Sequence, residues 1–459
     1  MLLENSNIYR EVLKVLNGGP NPVHWYWEAV LHANGLDIPI YKVVTMDLTR
    51  DYANSFADAM MVECLIAPGD YDFRVWPYKD NLELTLYRRP LSETNGNPTL
   101  GSKTQTQRYS VTLSESSGAV VENNNVTDSN PDLSNLRDYK TIHIQLLDKV
   151  VQRIRFNTIG GIFRNSSPLD TIRALLMELS KSSDVDGDIS VAGVDVAPRG
   201  NTTIRDHIII KDGTRLTYFP RYIHENCGGV YSNGFGYYLQ NGIWYLYPLY
   251  DLGRYNVDKR PLVLLNVPAN RLKGVERTYR VTANQIIVVG NGKTKQIDMS
   301  EQAILNAGSG TRFGIASRIM DSFVSVNGNK ATASKDNNTS SFVLEQRKDN
   351  LSFVTLSSAH ITDNIAMEMS KLSARNGTFI MVEWEHADSS VIYPGMPLKY
   401  VYEENKNVHE LNGIVTNSHY FTSLNSATMQ GGHHTTTALL TVFVDKAILI
   451  GLTLSNAPT

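Results

Sequence analysis

Apolar and polar residues alternate with a period of two in short runs, and this rhythm constrains the fold more than any other feature. In Ala59–Ile66, Met60, Val62, Cys64 and Ile66 face one way while Ala59, Met61, Glu63 and Leu65 face the other, as successive side chains of a strand must. Ala67-Pro68-Gly69-Asp70 then turns the chain into Tyr71–Trp76, which reads as another strand, and a turn at Pro77–Asn81 leads to Leu82, Leu84 and Leu86. Asp47–Arg89 is therefore expected to be a meander of antiparallel strands.

Between about Pro90 and Tyr139, Ser, Thr, Asn and Gly dominate around one alternating piece, Arg108–Leu113. The flanks hold too little apolar surface to offset ordering entropy, so a long, partly mobile hairpin loop is expected. Lys140–Phe156 returns to strand character. Ser167 can cap a helix, Pro168 suits its first position and Asp170 meets its free amides. Leu169, Ile172, Leu175, Leu176 and Leu179 then form one apolar stripe. A second helix is expected over Leu216–Asn226, stopped by Gly228-Gly229. Tyr237–Gln240 and Ile243–Tyr247 flank Asn241-Gly242, the dipeptide favoured by a type I′ hairpin turn.

Arg260–Asp298 reads as short strands turning at Arg271–Gly274 and Gly290–Gly292, and the stretch from Ser300 to about Lys348 as loop and edge. A short helix begins at Thr362 or Asp363, with Ile365, Met369 and Leu372 on one face, and ends at Asn376-Gly377. Strands Phe379–Glu385, Met396–Tyr402, Leu411–His419 and Thr435–Val444 follow, enough with one helix to close a small barrel or sandwich.

A chain of 459 residues accommodates about two to four domains. Its 43 basic and 46 acidic side chains give a net charge of −3, which argues against nucleic-acid binding through bulk positive charge. Charged residues are 19%, below the typical ~25%, so the surface is polar mainly through Asn, Ser, Thr and Tyr. Cys64 and Cys227 form no C-x-x-C pair and read as buried small hydrophobes in a reducing compartment. The most apolar stretch, Thr437–Leu454, is split by Asp445-Lys446 and lacks the ~20 apolar residues of a spanning helix. The N-terminal MLLENSNIYREVLK carries charges where a signal peptide needs apolar residues. A protein made and kept in a cytoplasm is expected.

Four constellations invite chemistry, and each has a plainer reading. Gly290-Asn291-Gly292-Lys293-Thr294 resembles the end of a phosphate loop, but Ile287 occupies the place of its first glycine, which leaves a hairpin turn. Asp184, Asp186, Asp188 and Asp195 follow calcium-loop spacing, but Ile189 stands where glycine must bend the chain, which leaves a solvated acidic turn. Glu383 and Glu385 flank Trp384 on one strand face, ~6.5–7 Å apart at Cα, within reach of glycosidic acid–base work. Solvation of an outward face with Trp384 turned to the core is the simpler account. His433-His434 precedes a Thr run without another ligand at metal spacing, so an exposed turn is expected rather than zinc. No catalytic, cofactor-binding or metal-binding residue is assigned and no cofactor is called for.

Three C-terminal segments carry a family resemblance. Tyr393-Pro394-Gly395-Met396-Pro397-Leu398-Lys399-Tyr400, then Leu411-Asn412-Gly413-Ile414-Val415-Thr416-Asn417-Ser418-His419, then Gly432-His433-His434-Thr435-Thr436-Thr437-Ala438-Leu439-Leu440 resemble the final barrel of phage baseplate hub proteins. Leu216–Gly229 with Val230–Phe235, Tyr237–Leu239 and Trp244–Pro248 is similar to the hub's small α+β module, and Ala57–Asp80 to its first tube-like barrel. The resemblance touches about two thirds of the chain, lies chiefly in the order of the motifs, and breaks at the polar insertion around Pro90–Asp138.

It implies a β-rich α+β, multidomain fold with two tube-like antiparallel β-barrel domains and a middle α+β module. The first barrel falls at 1–160 with the polar loop at 90–139, the middle module at 161–345, and the second barrel at 346–459, with 260–298 free to return to the first. The implied function is non-catalytic: a virion baseplate hub, assembled in the host cytoplasm. As a homotrimeric symmetry adaptor of pseudo-six-fold symmetry, it joins a hexameric tail tube to a trimeric central spike. Expected partners are its own copies, the tail tube or tube-initiator protein, the central spike and other baseplate proteins, with viral DNA only in transit. A tail-tube or distal-tail protein is the alternative within this class. A cell-wall glycosidase using Glu383 and Glu385, or a carbohydrate- or receptor-binding module, are the alternatives outside it.

Overall fold

The structure is a computed structural model that describes residues 7–17, 24–91, 105–114, 139–179, 192–198, 200–257, 260–268, 277–297, 345–346, 353–354, 373–374, 377–404, 407–425 and 433–445. Helix α1 (Asn7–Asn17) precedes strands β1 (His24–Ala33), β2 (Leu36–Pro39), β3 (Lys42–Asp51) and β4 (Ala59–Ile66). A short helix α2 (Pro68–Asp70) runs into a π turn at Tyr71–Val75 and a 3-10 turn at Trp76–Tyr78. Then come β5 (Leu82–Leu91), β6 (Gln105–Leu113), β7 (Lys140–Asp148), α3 (Lys149–Ile154), β8 (Thr158–Ser166), α4 (Pro168–Leu179), β9 (Gly193–Val196), β10 (Arg205–Arg215) and α5 (Phe219–Asn226). The hairpin β11 (Gly236–Gln240) and β12 (Ile243–Tyr247) is followed by β13 (Leu262–Asn266), β14 (Tyr279–Val281), β15 (Ile286–Gly290) and β16 (Thr294–Ile297). Two short strands, β17 (Glu345–Gln346) and β18 (Phe353–Val354), precede β19 (Gly377–Trp384), β20 (Pro397–Glu404), β21 (Asn407–Asn425) and β22 (His433–Asp445).

The expected β-rich, multidomain class holds. A 15-stranded sheet dominates, and its hydrogen bonding folds back on itself twice. The first cycle runs β21-β3-β4-β7-β6-β5-β1-β22 and closes through the β21–β22 pair. Its inward positions, including Met60, Val62, Cys64, Leu84, Leu31, Ile142 and Ile144, are buried in one core, as the alternation of Ala59–Ile66 demands. The second cycle runs β13-β20-β21-β22-β19 and returns to β13 through the continuous β15–β16 stretch. The rings therefore share the β21–β22 hairpin, and their interiors form a single apolar cluster.

This sharing sets the pairing across the expected borders at 160 and 345. Residues 417–423 of β21 pair with β3 of the first ring, whereas residues 407–414 pair with β20 of the second. The segment 260–298 joins the second ring rather than the first, because β13 lies parallel between β15 and β20. Being inside a sheet, β13 is apolar on both faces. Leu262 and Leu264 point into the ring core, and Leu265 packs outward under Ile8, Val12 and Val15 of α1. An isolated helix of this length is marginal in water, so burial of these three residues, about 1.5–3 kcal/mol each, is what holds α1.

The middle module has its own core. Val150 and Ile154 of α3, Leu169, Ile172 and Leu176 of α4, Phe219 and Ile223 of α5, and Trp244 of β12 meet there with the buried face of β10. The α4 start is as expected: Ser167 Oγ accepts from the Asp170 amide at 3.1 Å and donates to its carboxylate at 2.6 Å. Asn241 and Gly242 take positive φ (53° and 72°), as the type I′ turn requires.

Several local expectations are corrected. Tyr71–Val75 is helical rather than extended, because Pro68 starts a helix, Arg74 pairs with Asp70 at 3.1 Å, and Tyr71 and Val75 share a buried face. Lys140–Phe156 is a strand only to Asp148, whose side chain caps α3 by accepting from the Val150 amide at 2.8 Å. The second helix begins at Phe219 rather than Leu216, with Pro220 in its first turn. Gly290–Gly292 is not a hairpin: β15 pairs with β13 and β14, β16 with β19, and the link is bonded to β19 through Asn291 N to Glu383 O at 3.0 Å. Most of the expected helix at 362–376, of the loop at 300–348 and of the polar 90–139 tract lies outside the described residues.

Candidate assembly site

The residues with possible chemistry are each absorbed by structure. Glu383 accepts from Lys293 Nζ at 2.9 Å, a bond that raises the lysine pKa. Glu385 accepts from Asn291 Nδ2 at 2.9 Å. Between them Trp384 is fully buried, as expected, its indole N–H donating to Thr278 Oγ1 at 2.8 Å. The glycine link thus stitches a ring rather than cradling phosphate. Asn266 Oδ1 accepts from the Gly292 amide at 3.0 Å, and Gly292 takes φ +80°. Asp195 sits on β9, while Asp184, Asp186 and Asp188 lie outside the described residues. Among the described residues, no group of three His, Cys, Asp or Glu side chains is arranged to hold a metal. Cys64 and Cys227 are buried thiols that form no disulfide with each other.

His434 departs from expectation, being buried (5% exposed) rather than at an exposed turn. It lies where β22 meets β1, the pairing that closes the first ring. The β22 alternation that puts Ala438 and Leu440 inside also puts His434 inside.

At the shared hairpin, register shifts between Val415 and Asn417, and β21 changes partner. Thr416 O turns to accept from the Tyr52 amide at 3.0 Å, and Thr416 Oγ1 donates to Thr441 O at 3.1 Å. One irregular residue thus lets one strand serve two rings, which is the usual work of a β-bulge.

A buried polar belt fixes the rings to each other and to the module. Arg50 pairs with Asp58 at 3.1 Å and donates to Ser389 O; Tyr238 Oη donates to Asp58 at 2.9 Å. Arg88 pairs with Asp388 at 3.0 Å and stacks over Trp25 at 3.9 Å, and Tyr279 donates to the same carboxylate at 3.0 Å. Burial alone would raise the Asp388 pKa, but the Arg88 charge and hydrogen bonds from Arg88 and Ser390 hold it below the usual carboxylate range. Burial pushes the Tyr52 hydroxyl up to about 12. The sequence reading missed this belt because single Arg and Asp residues in strands have no spacing that distinguishes them from solvated ones.

The outer surface carries apolar groups suited to protein contact. The helical turn between β4 and β5 buries Tyr71 and Val75 in the ring core and presents Phe73 (80% exposed), Trp76 and Tyr78 outward. Beside it Tyr41 stacks on Tyr139 with centroids 4.0 Å apart. On the two-stranded β8–β10 ribbon, the cross-strand pair Ile162 and Ile209 is exposed, at 61% and 56%. Exposed patches of this kind commonly mark interaction surfaces.

The fold thus defines a β-rich α+β protein of two strand rings fused through one hairpin and braced by a small module. No protein-family model matches the chain, and no curated protein matches it. Among solved structures, it is similar to a tail protein from Neisseria meningitidis MC58, at 11% identity and a TM-score of 0.47, covering 92% of this chain and 98% of that one. It is also similar to the 43 kDa tail protein of prophage MuSo2 from Shewanella oneidensis, at 10% identity and a TM-score of 0.39, covering 90% and 96%. A third is an Escherichia coli component of the type VI secretion system, described as structurally similar to T4 bacteriophage tail proteins gp27 and gp5. There the identity is 9%, the TM-score 0.40 and the coverage 91% and 77%.

Proposed function

We propose that this chain is a structural assembly protein, the central hub of a phage tail baseplate or a related contractile injection machine. The observation that carries the reading is the pair of strand rings fused in one chain by β21–β22. Three copies would present six rings to a hexameric tube while keeping three-fold symmetry for a spike below. A closed trimer uses heterologous interfaces, and the exposed Phe73, Trp76, Tyr78, Ile162 and Ile209 are side chains that such contacts would cover. The proposed action is mechanical and non-catalytic, with Glu383 and Glu385 serving as partners of Lys293 and Asn291. Its place would be the virion tail, with DNA only passing through the assembled ring.

Light scattering at micromolar concentration, alone and with a spike partner, is expected to give a trimer, and averaged electron micrographs a three-fold ring with six-fold pseudo-symmetry. A strictly monomeric species in both conditions would overturn the reading. A hexamer would favour a tail-tube or distal-tail role instead.

A further inference from the structure

The first ring closes at one narrow seam. Whereas β1 pairs with β5 over its whole length, it meets β22 at a single residue pair, Trp25 and His434. The His434 side chain completes the closure. Its Nδ1 accepts from the Trp27 amide at 3.2 Å, and its Nε2 lies 3.0 Å from Val43 O. An amide can only donate and a carbonyl can only accept, so the ring must be neutral with its proton on Nε2. One imidazole thus ties β22 to β1 and to β3, and each bond depends on that tautomer.

The surroundings oppose a charge there. Burial lowers the His434 pKa, as do the charges of the buried Lys42 on β3 and of its strand neighbour His433, against a raising contribution from the bond to Val43. On β1, Tyr26 packs against it with centroids 5.3 Å apart, and nearby Glu28 is engaged by Arg89 of β5 at 2.7 Å. Arg88 of β5 lies over Trp25 and Trp27 and is paired with Asp388. Among the described residues no carboxylate forms an ion pair with His434.

We propose that His434 is an acid-sensitive latch on the ring seam. A proton taken up at Nδ1 turns the acceptor of the Trp27 bond into a donor facing a donor, and sets a positive charge beside Lys42. The β1–β22 seam then parts while the β1–β5 pairing stays, so that mild acid opens one ring of an otherwise folded molecule.

Amide hydrogen exchange of the full chain between pH 7.5 and 5, expressed as protection factors to remove intrinsic pH dependence, tests this. Trp27 protection should fall by about tenfold or more, while Glu28, whose amide alternates to the β5 side opposite Tyr87, should hold. His434→Gln offers an acceptor and a donor without titrating, so its Trp27 protection should be flat with pH. A flat wild-type profile, or the same slope in His434→Gln, overturns the latch. Should that variant fail to fold, ¹⁵N-histidine labelling of the wild type decides. The latch requires the Nε2–H tautomer at pH 7.5 and loss of Trp27 protection in step with His434 protonation. The other tautomer, or protonation that leaves Trp27 protected, refutes it.

Discussion

Tyr247 and Gly395 are in such close contact that a Cβ on Gly395 would lie 2.2 Å from the Tyr247 ring. Gly395 also takes φ +64°, and Tyr247 Oη donates to Tyr52 O at 2.7 Å. The middle module, the turn before β20 and the end of β3 converge on this one phenol. Gly395→Ala should therefore cost about 2–4 kcal/mol through left-handed strain and overpacking. Denaturant unfolding measures it, and an unchanged midpoint would mean that the contact relaxes freely.

The Arg88–Asp388 pair is expected to behave as a buried ion pair. Asp388→Asn or Arg88→Met alone should destabilise by about 3–5 kcal/mol, and the double change Arg88→Met with Asp388→Leu by less than the two singles together. Because the folded Asp388 pKa is depressed, its contribution is present above the unfolded value of about 3.9 and is lost as pH falls through the folded value. Acid titration of stability should show that step in the wild type and lack it in the double variant.

His224 gives a second pH dependence, in the middle module. Its Nδ1 accepts from the Val230 amide at 2.9 Å, and burial, with Arg221 nearby, lowers its pKa to about 4. Between about pH 6.5 and 4 the unfolded chain binds the extra proton, so stability should decline toward acid by up to about 3 kcal/mol. His224→Gln should flatten that slope in pH-dependent thermal unfolding.

Capping of α4 is isolated enough to test by itself. Ser167→Ala removes the acceptor of the Asp170 amide and should cost about 1 kcal/mol. Ser167→Thr, which keeps a hydroxyl that both accepts from the Asp170 amide and donates to its carboxylate, should recover most of it; equal stability of all three proteins would deny the cap its role.

Neither thiol should react with an aromatic disulfide reagent in the native protein. Burial pushes Cys64 up to about 12, and Cys227 is covered. Two thiols should appear only on denaturation, without reductant. Rapid native labelling would contradict this packing.

Local signals in the sequence translated into structure where one segment decides the outcome. Asn241-Gly242 specifies its turn, Ser167-Pro168-Leu169-Asp170 its helix start, and the alternation in Leu411–His419 and Thr435–Val444 its strands. What the pattern could not convey is partnership. Nothing in Phe421 or Thr422 tells that β21 pairs with Asp47 and Met46 some 370 residues earlier. Tyr71–Val75 misled because aromatic residues favour strands, whereas Pro68 and the Asp70–Arg74 pair decide for a helical turn. The Gly290–Gly292 link looked like a hairpin because glycine marks both a reversal and a strand crossing between two neighbours. His434 was misplaced because a histidine pair before polar threonines resembles a loop, and only the ring reveals its buried side.

The hairpin common to both rings also dictates when they can exist. Strands β1 to β7 leave the ribosome long before β21 and β22, by nearly 270 residues between Asp148 and Asn417. At about 5–20 residues per second that is roughly 15–55 s. Throughout that interval β3 and β1 have open edges, the form of sheet most inclined to pair with a stranger. Neither ring can finish before the other has its shared beam, so the nascent chain passes from two incomplete sheets to two closed ones in a single late event.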